Sequence, residues 1–62
     1  MNEVIVKIEQ LLLDNKTQEA KQIIFSELNN PENENILPNL YSCLGKSYAI
    51  EGKTGLALQY FT

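Results

Sequence analysis

The sequence predicts an all-α fold, two antiparallel helical hairpins stacked as a short α-solenoid. Three observations predict it. Four segments carry apolar residues at helical spacing, polar breaks separate them in the order short, long, short, and the second half of the chain repeats the first.

The first segment, Glu3 to Leu13, places Val4, Ile5, Ile8, Leu11 and Leu12 on one stripe of an amphipathic helix. Asp14-Asn15-Lys16-Thr17 ends it, because short polar side chains bond to nearby backbone and favour turns over helix interiors. Asn15 with Gln18 has the form of an N-terminal capping pair for the next helix, with Thr17 as the competing cap. That helix should run from about Thr17 to Leu28, with Ala20, Ile23, Ile24 and Leu28 inward.

Residues 29–35, rich in Asn and Glu around Pro31, read as a polar linker. Pro38 suits the first position of a third helix, where its missing N–H costs nothing. This helix should reach about Ile50, with Leu40, Tyr41, Leu44 and Tyr48 inward. Gly52 is free to take the left-handed conformation that closes a helix. A fourth helix starts near Thr54 or Gly55, carries the apolar Ala57, Leu58 and Phe61, and stops abruptly at Thr62.

An offset of 37 residues pairs Lys16 with Lys53, Thr17 with Thr54, Ala20 with Ala57 and Gln22 with Gln59. Ile23 and Ile24 fall opposite Tyr60 and Phe61. Repetition of this kind marks an array whose units cannot bury their own faces alone. The chain thus divides into a first repeat over about 2–30, a linker over 31–36 and a second repeat over about 37–62 with its second helix unfinished, all in one domain.

With 62 residues the chain is one small domain at most. Domains of this size bury only about 60% of the surface their unfolded chain exposes and commonly need outside support. Cys43 is the only cysteine and there is no histidine, so neither an internal disulfide nor a metal centre supplies it. Self-association, a partner or a longer array does. A net charge of −3 speaks against nucleic acid, whose phosphates require a basic face. No cationic leader precedes an apolar stretch, and no apolar run reaches membrane-spanning length. A lone thiol fits the reducing cytoplasm.

The second half contains Tyr41-x2-Leu44-Gly45-x2-Tyr48-x3-Gly52-x4-Ala57-x3-Phe61. Gly45 and Ala57 are small where two helices of a hairpin would cross, and Tyr41, Leu44, Tyr48 and Phe61 fill the space around the crossing. This pattern resembles the tetratricopeptide repeat signature. The first half resembles it loosely, keeping Leu11, Ala20, Ile24, Leu28 and Pro31 but placing Val4, Lys7 and Ile8 where the family has an aromatic, a leucine and a glycine. The offset exceeds the family's usual spacing of about 34 residues, which the linker accounts for. Ile8 at a crossing implies a wider or shifted first hairpin.

The resemblance implies a non-catalytic module that binds a peptide, a helix or a second copy of itself, without cofactor. Its groove, lined by the first helix of each hairpin, would comprise Asn2, Ile5, Glu9, Leu12, Asn39, Ser42, Lys46 and Ala49. In the family's chaperone-binding members Lys and Asn residues clamp a terminal carboxylate; Asn39 and Lys46 suit that clamp, while Ile5 and Glu9 spoil it. Leu58, Tyr60 and Phe61 would form an apolar end for association, in a homo-oligomer or a longer array. Two further readings are the start of a larger tetratricopeptide regulator of the bacterial peptide-sensing kind and a small helical inhibitor.

Sharper chemistry finds little footing. Gly52-Lys53-Thr54 resembles the end of a phosphate-binding loop, but Ser47 stands where its first glycine belongs and a helix precedes it. Cys43 has no histidine to deprotonate it and packs better as a small apolar residue. Glu32 and Glu34 lack the spacing and the glycine of a calcium loop.

Overall fold

A computed structural model describes residues 2–61 of the chain and consists of helices without strands among them. Helix α1 spans Glu3–Leu13, α2 Thr17–Leu28, a 3₁₀ segment Pro31–Ile36, α3 Leu37–Ile50 and α4 Thr54–Phe61. Two hairpins, α1–α2 and α3–α4, stack on each other. Helix α3 is the hub: it packs on α1, α2 and α4, whereas α4 packs on α3 alone among the helices.

Asn2 starts α1, its Oδ1 accepting from the N–H of Val4 at 2.8 Å and of Ile5 at 3.3 Å. The core holds Ile8, Leu12, Ala20, Ile24, Leu40, Cys43 and Leu44, with Val4, Ile5, Leu11, Ile23, Leu28, Tyr48 and Tyr60 packed against it. The apolar stripes of the first three helices thus converge on one centre. Ala57 is buried under α3.

The 37-residue repeat is visible in the backbone. Lys16 N–H donates to Leu11 C=O and Lys53 N–H to Tyr48 C=O, both at 2.8 Å. Asn15 N–H donates to Leu12 C=O and Gly52 N–H to Ala49 C=O, both at 3.0 Å. These are paired Schellman closures. Each turns on one left-handed residue, Asn15 at φ +61° and Gly52 at φ +79°. Asn15 is therefore not the capping residue of α2 that its spacing to Gln18 suggests. It closes α1, and Lys16 precedes α2 with no side-chain cap. Thr17 does not cap either: its hydroxyl donates to Glu51 at 2.8 Å.

The linker is also more ordered than its composition predicts. Asn30 Oδ1 accepts from Glu32 N–H at 3.0 Å, and Asn33 Nδ2 donates to Glu27 C=O at 2.9 Å and to Glu27 Oε1 at 2.7 Å. Those bonds bend Pro31–Ile36 into a 3₁₀ helix fastened to the end of α2. Helix α3 then begins one residue early, at Leu37, with Pro38 still in its first turn.

A β-carbon built on Gly45 would lie 2.7 Å from Cε1 of Phe61, so the ring rests on α3 in the space that the glycine leaves. In the first hairpin Ile8 and Ile24 hold the equivalent places. Although α4 is the shorter partner, α3 and α4 pack more extensively than α1 and α2, as the smaller residues at their crossing allow.

Candidate protein-binding surface

Tyr60 lies between Tyr41 and Tyr48, with ring centroids 6.1 Å and 5.7 Å away and interplanar angles of 11° and 21°. Tyr41 and Tyr48 are two turns apart on α3, and the stack fastens α4 to them. The structure corrects two expectations here. Tyr41 is exposed rather than inward, because its ring leans over Tyr60 at the rim; Tyr60 is half-buried rather than open for association.

The stack continues into a polar cluster. Lys21 Nζ sits 4.9 Å from the Tyr48 ring centroid and 2.9 Å from Glu51 Oε1. Glu51 Oε2 accepts from Thr17 at 2.8 Å and from Gln18 Nε2 at 3.3 Å. Lys53 approaches Glu51 Oε1 at 3.6 Å. Hydrogen bonds from Lys21 and Thr17 hold the Glu51 carboxyl below its ordinary pKa, against a smaller opposing effect of burial. The cluster joins the end of α3 to the start of α2, so it couples the two hairpins. Local sequence spacing gives no sign of it, since the partners lie 30–34 residues apart.

A groove of about 380 Å³ runs between α1 and α3, lined by Glu9, Leu12, Leu13, Lys46, Ala49, Ile50 and Phe61. Four of the eight residues expected to line such a groove meet here: Glu9, Leu12, Lys46 and Ala49. Lys46 and Glu9 face each other at 3.7 Å, both half-exposed, an arrangement worth at most about 1 kcal/mol. The other four lie elsewhere. Asn2 caps α1, Ile5 packs against the core, Asn39 is exposed on α3 away from the groove, and Ser42 lines a second hollow with Pro38, Tyr41, Gln59, Tyr60 and Phe61.

Sequence reasoning missed the groove's rim. Leu13 is 83% exposed and Ile50 46% exposed. They are repeat equivalents at the ends of α1 and α3, and the offset that pairs their neighbours would have found them. Phe61, half-exposed, adds to the apolar lining.

Cys43 is buried at the centre of the core. Burial raises its thiol pKa, the nearby Glu9 charge adds to the rise, and Lys46 opposes it. A thiol so placed is a poor nucleophile and a good filler. Among the described residues no helix is long and apolar enough to cross a membrane. No family model, curated protein or solved structure matches the chain.

Proposed function

We propose that this chain is a non-catalytic protein-interaction module of the tetratricopeptide type, holding an apolar polypeptide segment in the groove between α1 and α3. The observation that carries the reading is the groove itself: exposed Leu13, Ile50 and Phe61 surround a floor of Leu12 and Ala49. Large apolar side chains gathered in one concavity mark interaction surfaces rather than ordinary solvent-facing residues. The tetratricopeptide reading is supported by the paired turns and by Phe61 resting on Gly45. The Lys46–Glu9 pair, one residue from each wall, would orient a bound segment through its backbone or a polar side chain, while the apolar rim supplies affinity. A cytoplasmic location is part of this reading, supported by the buried free thiol, which suits a reducing compartment.

Selection from a random peptide display library against the folded protein tests this. Selected peptides should be rich in Leu, Ile or Phe and should shift the NMR resonances of Leu12, Leu13, Ala49 and Ile50. Leu13→Asp with Ile50→Asp should weaken them about tenfold or more, equivalent to about 1.4 kcal/mol. Peptides that bind the double variant equally well would sink the reading.

A further inference from the structure

Because the two turns carry the same hydrogen bonds, the 37-residue offset maps each environment of the first hairpin onto the second. On the first hairpin, α3 covers the side of α2 that carries Lys21 and Ile24, which are 9% and 0% exposed. Glu51, at the end of this covering helix, locks onto Thr17, Gln18 and Lys21. The offset carries Ile24 to Phe61 and Lys21 to Leu58, which are 50% and 57% exposed. The second hairpin therefore presents the same seat uncovered, with a leucine in place of the lysine.

We propose that α3 and α4 form a seat for an amphipathic helix of another polypeptide, lying as α3 lies on the first hairpin, with an apolar residue where α3 carries Glu51. The covering face of α3 buries Leu40, Cys43, Leu44 and Ser47 and ends at Glu51. The occupant accordingly carries apolar or small residues at positions i, i+3, i+4 and i+7, and an apolar residue at i+11 over Leu58. This surface meets the α1–α3 groove at Phe61, while Leu58 lies outside the groove lining.

A second copy stacked in the same direction supplies no such helix. The offset maps the covering positions onto Glu3, Val6, Lys7, Gln10 and Asp14 of the first hairpin, and the first four line one shallow hollow on the outer side of α1. Seating Glu3, Lys7 and Asp14 against Leu58 and Phe61 would strip three charges of water and give them no partners. The stripe of α3 itself is already buried on its own hairpin. The outer side of α1 is polar, whereas the equivalent seat on the second hairpin is apolar.

The test uses two labelled peptides spanning residues 36–51, one with Glu51 and one carrying Glu51→Leu, titrated into the whole protein by fluorescence anisotropy. The Glu51→Leu peptide should bind wild type about tenfold tighter than the Glu51 peptide, and Leu58→Lys should reverse the order. Leu58 is largely exposed, and unchanged far-UV circular dichroism would establish that the variant folds. Leu13→Asp should leave the helix peptides unaffected, so failure of the groove reading is distinguishable. The proposal is overturned if neither peptide binds at millimolar concentration or if Leu58→Lys leaves the order unchanged. A wild-type dimer in sedimentation equilibrium that Leu58→Lys dissolves would also overturn it, by assigning the seat to a second copy.

Discussion

Lys21 and Glu51 meet at 2.9 Å with both side chains largely withdrawn from solvent, and their contact joins the start of one hairpin to the end of the next helix. Removing the carboxylate leaves a buried ammonium over the Tyr48 ring with no anion beside it. Breaking such a pair from one side costs more than replacing it by apolar groups. Glu51→Ala should lower the urea midpoint more than Lys21→Met, which keeps the stem packed and leaves Glu51 accepting from Thr17 and Gln18.

The same carboxyl sets a pH dependence. Its folded-state pKa lies below the ordinary 4.5, so its contribution is fully present above that value and is lost as pH falls through the folded pKa. Urea midpoints should fall between about pH 5 and pH 3. Glu51→Gln should flatten the part of that fall that belongs to this residue. An equally steep fall in the variant would remove Glu51 as the cause.

Gly45 and Phe61 form a size-matched pair, which a double-mutant cycle resolves. Gly45→Ala improves helix propensity by about 1 kcal/mol but forces the Phe61 ring to move, at a cost of about 1–3 kcal/mol. In wild type the substitution should be neutral to destabilising. In a Phe61→Ala background it should stabilise by about 1 kcal/mol, measured by thermal unfolding.

Leu40 is fully buried between the hairpins. Leu40→Ala should cost about 2–5 kcal/mol. For a chain of this length total stability is about 3–9 kcal/mol. Far-UV circular dichroism should show a thermal midpoint well below that of wild type.

Cys43 offers a probe of opening. Its buried, high-pKa thiol should react with a disulfide reagent on the order of 100-fold or more slowly than in urea, because reaction requires a local or global opening. Leu40→Ala should accelerate it in step with the loss of stability.

Helix boundaries were legible because each stripe and each break is encoded within a few residues. What escaped was set by individual hydrogen bonds and backbone conformations that the stripe pattern does not encode. Asn33 turns a loop-like composition into a 3₁₀ helix by reaching back to Glu27. Asn15 looks like a cap in its local context, and only its alignment with Gly52 reveals the left-handed turn. Half of the expected groove converged because Glu9, Leu12, Lys46 and Ala49 sit on matching turns of α1 and α3. Asn2 and Ile5 were lost to it because the cap of α1 claims Asn2 and packing against the core claims Ile5.

The tyrosine stack has a spectroscopic consequence. The chain contains three tyrosines and no tryptophan, and all three tyrosines stand in one column across the junction of α3 with α4. Near-ultraviolet circular dichroism and intrinsic fluorescence therefore report chiefly on a single joint. Undocking of α4 would erase the near-ultraviolet signal while most of the far-ultraviolet helical signal stays. The protein carries its own gauge for whether its second hairpin is closed.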